Sequence, residues 1–365
     1  MGNILDYLDW CADLPMERDG FHEVDGVLLA RLSYLPFEDM VSFSFLPSVT
    51  IGEVAETLSS MPDIEKKVLW KEDVELLHRI SKNRRFSPMG LCGYINRIDP
   101  QTQTQFSVIT VQVAKDLYYV AFRGTDNTLV GWKEDFNMGF TFPVPAQESA
   151  MAYFQQLACF CPGGRFLLGG HSKGGNLAVY AATFCDPQLQ DKIAAVYNYD
   201  GPGFGKQVMK TEAYQRICGK IHTFVPQSSV VGMLLEHEEN YTIIHSRQIG
   251  ILQHDIYSWG IEKGHFVSLD HVTNSSRLID STLREWISEM DTSQRECLVD
   301  TIFQMMAQTN AVTWKDLSDH WVINTKVLLE SAKGLDDSTR KVLTQTLHAL
   351  FRAAQRGFFQ MVLKA

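Results

Sequence analysis

The spacing of apolar residues changes character twice along this chain. From Met1 to about Arg85 they recur at helical intervals. Asn3 precedes the apolar series that runs to Trp10, Val27 to Leu35 is stopped by Pro36, Thr50 precedes Ile51 to Leu58, and Lys71 to Ile80 is amphipathic. Near Met89 the texture becomes that of strands. Gly90 to Asn96 is short and apolar, and Gln105 to Val113 alternates with period two and is rich in β-branched residues. Leu117 to Phe122, Arg165 to Gly170 and Ala194 to Tyr199 are continuous apolar runs, as expected of strands covered on both faces. Ile221 to Val225 and Thr242 to His245 add two more. Helical patterns separate them at Gln147 to Phe160, Asn176 to Phe184 and Gln207 to Cys218. From about Asp270 the spacing is helical again, over 276–287, 293–306, 324–332 and 337–363.

Strands alternating with helices predict an α/β fold with a mostly parallel sheet flanked by helices, and with additional N- and C-terminal helices. The expected organisation is an N-terminal helical segment packed on the core (1–85), an α/β core (86–290) and a C-terminal helical segment (291–365). The balance of 45% hydrophobic and 21% charged residues is that of a globular protein and excludes disorder or a coiled coil for the whole chain. With 33 basic against 43 acidic residues the net charge is −10, a poor field for nucleic acid or anionic lipid. No apolar run approaches the roughly 18 residues of a membrane span. Seven scattered cysteines read as reduced thiols, and Cys159 and Cys161 lack partners at zinc spacing, so no metal is expected there. A cytoplasmic location is the resulting expectation. The oligomeric state has no signature in the sequence.

Candidate chemistry concentrates at Gly170-His171-Ser172-Lys173-Gly174, a G-x-S-x-G pattern between a buried strand and a helix. In that setting Ser172 is expected in a strained turn, with Gly170 and Gly174 avoiding a clash and the hydroxyl raised beyond the sheet edge. The helix start aims backbone N–H groups, that of Lys173 among them, at a developing oxyanion. A second donor is expected from the N–H of Thr125, in the turn Arg123-Gly124-Thr125-Asp126 that ends another buried strand.

Phe122-Arg123-Gly124-Thr125, followed by Trp132 and Asp135 and then by Gly170-His171-Ser172-Lys173-Gly174-Gly175, resembles the class 3 lipase branch of the α/β-hydrolases. The longer text through Asn176-Leu177-Ala178, with Tyr199-Asp200-Gly201-Pro202-Gly203-Phe204 and the stretch from Val225 to Leu234, is more similar to the Mbeg1-like (DUF2974) group of bacterial proteins. The resemblance spans about Met89 to Trp259 and implies an α/β-hydrolase fold.

In such hydrolases the order is Ser, then Asp or Glu, then His. Class 3 lipases place the base in a loop after the last strand, before an aromatic, which points to His254; His265 is the next candidate, while His222 and His245 lie in strands and read as packing residues. Those lipases carry the acid after the next-to-last strand, where this chain has Gln227-Ser228-Ser229 and no carboxylate. Asp200, at the end of the preceding strand and before a Gly-Pro-Gly turn, is therefore the expected acid. Asp255 is chained beside His254 and badly placed to reach its ring, and Glu236 and Glu238 are the remaining carboxylates considered.

The resemblance implies a serine hydrolase that cleaves a carboxylic ester or acyl lipid through an acyl-enzyme on Ser172, with no cofactor and no metal. The alternatives are a catalytically inactive hydrolase scaffold that binds a partner, and an acyltransferase or thioesterase on the same triad. Phe204, Met209, Met233, Leu234 and Leu235 would suit an apolar acyl chain, and Lys173 an anionic head group; core packing and a solvated helix start are the plainer readings.

Overall fold

A computed structural model of the chain describes residues 1–126, 128–139, 141–229, 231–232, 241–248, 250–270, 292–309 and 340. The expected helices over 276–287 and 324–332, that over 337–363 but for Arg340, and the residues Met233 to Leu235, Glu236 and Glu238, lie outside the described residues. Two compact units are formed, the first from residues 1–97, 106–124 and 146–272, the second from 98–105, 125–145 and 273–365.

The sheet has nine strands in the order β1 (Val49–Thr50), β2 (Gly90–Asp99), β3 (Thr104–Ala114), β4 (Leu117–Phe122), β5 (Arg165–His171), β6 (Ile193–Tyr199), β7 (Ile221–Pro226), β8 (Tyr241–Ile244) and β11 (Ser268–Leu269). β4 to β8 run parallel, while β3 meets β4 and β11 meets β8 in antiparallel fashion. A separate hairpin joins β9 (Ile261–Glu262) to β10 (His265–Phe266). These last two-residue strands carry no periodic signal, so the sequence reading ended the strands too early, before β9.

Alternation along the strands separates two cores in the first unit. Tyr119, Ala121, Leu167, Ala195, Tyr199 and Phe224 face the layer built from α1 (Ile4–Trp10), α2 (Glu23–Leu32), α3 (Ile51–Ser59), α4 (Ile64–Lys67) and α5 (Glu72–Lys82). Tyr118, Val120, Phe122, Phe166, Leu168 and Val196 face the other layer. In the second unit α6 (Leu129–Asn137) was not expected; Thr128 caps it by accepting from the Gly131 N–H at 3.1 Å. The layer on the second face of the sheet comes from α7 (Pro145–Phe160), α8 (Lys173–Phe184), α9 (Pro187–Gln190), α10 (Lys206–Met209) and α11 (Glu212–Cys218). Each large apolar side chain fully buried in these layers stabilises the fold by about 1.5–3 kcal/mol.

Local chemistry sets the helix boundaries. Asn3 accepts from the N–H groups of Leu5 and Asp6 while Asp6 accepts from that of Asn3, and Thr50 and Glu53 make the same reciprocal box at α3. The single helix expected over Gln207 to Cys218 is two, because Thr211 leaves the helical conformation and caps α11 through the Tyr214 N–H at 3.2 Å. The helical layer of the first unit also buries two ion pairs. Arg31 donates to Asp73 at 2.6 and 2.5 Å, and Arg85 donates to Asp25 at 2.8 and 2.6 Å.

In the second unit Glu134 accepts from the Gln105 N–H at 3.0 Å, Lys133 pairs with Asp300 at 2.8 Å, and Leu129, Val299 and Phe303 form a small core between α6 and the helix Thr292–Ala307. Among the described residues, no helix is long and apolar enough to cross a membrane.

Candidate active site

Parallel register brings the strand ends to one edge. Phe122 lies beside Gly170, His171 beside Tyr199, and Tyr199 beside Phe224, so residues 123–124, 172 and 200 leave the sheet as neighbours. Ser172 sits between β5 and α8 with φ 59° and ψ −133°, a conformation that L-residues hold only under constraint from their surroundings. The constraint is visible. The Ser172 N–H donates to the Tyr199 carbonyl at 2.9 Å, and its own carbonyl accepts from Gly175 at 2.9 Å. A Cβ on Gly174 would lie 2.1 Å from the Phe122 carbonyl oxygen, and one on Gly170 would lie 2.3 Å from the Gly174 backbone. Only glycine lets the helix start so close behind the strand. Ser172 is half-buried, and α8 begins at Lys173, so the N-terminal dipole of a twelve-residue helix faces the serine.

Asp200 ends β6 in the same way, with φ 54° and no exposed surface. Its N–H donates to the Phe224 carbonyl at 2.9 Å. One carboxylate oxygen, Oδ2, accepts from His254 Nδ1 at 2.6 Å; the other, Oδ1, accepts from the Ser229 hydroxyl. Ser229 Oγ in turn accepts from the Gly232 N–H at 3.0 Å. His254 closes a 3-10 turn, Gly250–His254, and its side chain is 23% exposed. With Nδ1–H committed to Asp200, Nε2 is the ring nitrogen left to accept a proton. Among the described residues no hydrogen bond reaches Ser172 Oγ, so the serine–imidazole bond is not made in this structure.

His254 is held by its backbone as well. His171 Nε2 lies 2.8 Å from the His254 carbonyl, which can only accept, so that nitrogen carries the proton. The two rings lie 4.3 Å apart between centroids. Burial, then the neighbouring His254 and Arg31, push the His171 imidazole well below its ordinary range, and it stays neutral. Gln253 fixes the same turn: its Oε1 accepts from the Ser228 N–H at 2.7 Å and its carbonyl from Trp259 Nε1 at 2.8 Å.

A family model described as Mbeg1-like matches residues 80–304, more than half of the chain. The chain belongs to the Mbeg1-like family. No curated protein matches this Mbeg1-like sequence. Among solved structures it is similar to the mono- and diacylglycerol lipase from Aspergillus oryzae, at 13% identity over 70% of this chain and 88% of that one, with a TM-score of 0.42. It is also similar to an MDLA variant from Penicillium cyclopium, at 12% identity, 69% and 87% coverage and a TM-score of 0.40. A lipase from Rhizopus microsporus var. chinensis is 18% identical over 55% of this chain and 77% of that one, with a TM-score of 0.33. The assignment of this Mbeg1-like chain to the α/β-hydrolase fold stands on its own strand order and on the strand–turn–helix at Ser172.

Of the residues expected from the sequence, Gly170, Ser172, Lys173, Gly174, Asp200 and His254 gather at the carboxyl edge of the first unit. Thr125 opens the second unit, where its hydroxyl donates to Asp135. His265 is instead paired with Glu23 at 2.9 Å, and His222 stacks on Tyr197. Lys173 is 1% exposed, not the solvated side chain that a helix start suggests. Asp255 spends its side chain on the Tyr257 N–H at 2.9 Å, and burial pushes its carboxyl up to about 6. Sequence reasoning missed His171 and Ser229 as partners of His254 and Asp200. His171 lies within the motif itself, and Ser229 at the position where the resemblance led one to look for a carboxylate.

Proposed function

We propose that this Mbeg1-like protein is a serine hydrolase that cleaves a carboxylic ester or acyl lipid. Ser172 Oγ attacks the carbonyl carbon as His254 Nε2 takes its proton. His254 then returns the proton to the leaving alcohol, and water repeats the cycle on the acyl-enzyme. Asp200 holds the imidazole in the tautomer that leaves Nε2 free and stabilises the imidazolium as it forms. The Lys173 N–H is one oxyanion donor, and the sequence pattern assigns the other to the N–H of Thr125, one residue beyond Gly124; such donors each contribute about 3 kcal/mol.

The observation that carries this reading is the 2.6 Å contact between His254 Nδ1 and a fully buried Asp200, at the same sheet edge as a serine held at φ 59°. A structural aspartate has no need of an imidazole whose second nitrogen is left available. The test is hydrolysis of a p-nitrophenyl ester series of increasing acyl length. Turnover is expected in the intact chain and none above background in Ser172→Ala. Equal rates in both proteins, or none in either while both are folded, would return the chain to the reading of an inactive binding scaffold. Transfer of the acyl group to an added alcohol or thiol would redirect the proposal to an acyltransferase.

A further inference from the structure

The geometry points to a zinc-type divalent-metal site formed by His22, Glu23 and His265, none of which belongs to the proposed catalytic set. Two segments 242 residues apart in sequence meet here. His22 and Glu23 stand at the start of α2, and His265 opens β10. One ligand atom from each of the three lies within 4.8 Å of the others, and His265 Nδ1 is 2.9 Å from Glu23 Oε1.

The disposition of the rings is the second observation. The His22 and His265 imidazoles lie 5.4 Å apart between centroids, with planes at 81°. Two imidazoles sharing one tetrahedral ion, with metal–nitrogen bonds of about 2.0–2.1 Å, place their centroids roughly 5 Å apart. A small closure of three surface side chains is all that separates the two arrangements. Asp19 Oδ1 lies 3.0 Å from His22 Nε2, the carboxylate–imidazole contact that commonly orients a ligating histidine.

Charge and access agree. The N-terminal end of α2 repels a cation, but Asp19 and Glu23 supply two carboxylates against that partial charge. Arg85 competes for Asp19, its Nη1 lying 3.9 Å from the other carboxylate oxygen. His265 is 59% exposed and His22 26%, so an ion reaches them without opening the core. Two imidazoles and a carboxylate form a donor set suited to zinc; calcium and magnesium call for oxygen ligands throughout. Phe266, next to His265, packs on Trp259 and Tyr199. A bound ion would therefore clamp the entry to α2 onto the segment that follows the His254 turn.

The test uses the full chain stripped with chelator and titrated with Zn2+ alone, read by bound-metal analysis and thermal unfolding. One equivalent and a rise in Tm are expected, with no response to Mg2+ or Ca2+. His22→Gln and His265→Gln should each abolish the rise with unchanged circular dichroism. Asp19→Asn should weaken binding about 10–100-fold, and Ser172→Ala should bind as the intact chain does. Less than one equivalent at saturating Zn2+ overturns the inference. So does one equivalent retained in the doubly substituted His22→Gln, His265→Gln chain, since the ion would then sit on thiols.

Discussion

Three aspartates without exposed surface, Asp25, Asp73 and Asp200, mark two regions of the first unit that handle buried charge differently. In the helical layer, Asp25 meets Arg85 at 2.8 and 2.6 Å and the Tyr7 hydroxyl at 2.8 Å. Asp73 meets Arg31 at 2.6 and 2.5 Å, the Tyr257 hydroxyl at 2.7 Å and the Trp70 N–H at 3.0 Å. Both lie on helices and face a guanidinium, which matches a carboxylate in two-pronged geometry and does not deprotonate. At the sheet edge, Asp200 holds a left-handed backbone and faces an imidazole, a ring that can donate from one nitrogen and accept at the other. The first arrangement locks helices together. The second sets a proton-accepting ring against the carboxylate, at a residue whose own φ of 54° is left-handed. The regions also touch: Asp73 anchors Tyr257, three residues beyond His254, so the locked pair steadies the other.

Substitution separates the two roles. Asp200→Asn should lower kcat by on the order of 10^4-fold, since an amide favours the wrong imidazole tautomer. Steady-state hydrolysis alongside thermal unfolding checks that the loss is catalytic; a loss matched by unfolding would break the distinction. Asp25→Ala should do the opposite, destabilising the fold by about 3–5 kcal/mol by taking from the buried Arg85 the carboxylate it meets at 2.8 and 2.6 Å. In denaturant titrations that cost should appear while kcat per folded molecule is unchanged. Ser229→Ala removes a hydroxyl donor to the charged Asp200, worth about 1.5–3 kcal/mol. Its kcat should fall roughly 10- to 100-fold, and Ser229→Thr should recover part of it; an unaltered rate would reduce Ser229 to packing.

The smallest effect is in pH. His171 is held neutral in the folded state, below the ordinary value of 6.5 that it recovers on unfolding. The unfolded chain thus binds the extra proton first. Stability contributed by the neutral ring is present above pH 6.5 and lost as pH falls below it, by up to about 1.4 kcal/mol per unit. Unfolding titrations from pH 7.5 to 5 should show this slope in the intact chain and a shallower one in His171→Asn. Parallel slopes would remove His171 from the account.

Much of this edge was legible in the sequence because its parts are local. The elbow needs a buried strand, two glycines and a helix within a dozen residues, and each leaves a mark on Arg165 to Ala178. Asp200 was reachable because Gly-Pro-Gly forces a turn directly after an apolar run. The choice of His254 needed chain order from a resemblance, since nothing in Gln253-His254-Asp255 itself distinguishes a base from a surface histidine. Long-range partnerships left no local trace. Ser229 on Asp200, His171 under the His254 carbonyl and His22 beside His265 join residues 29, 83 and 243 positions apart, and only the fold reveals which pairs meet. α6 escaped because Thr128, its cap, follows a turn read for its oxyanion donor alone.

In the proposed reaction Ser172 is made nucleophilic by the His254–Asp200 pair. Its most direct test is labelling of the full chain with a fluorophosphonate probe, with the modified residue located by peptide mass spectrometry. A single adduct on Ser172 is expected, absent from Ser172→Ala and strongly slowed in Asp200→Asn. An adduct on another serine, or none on a folded chain, contradicts it.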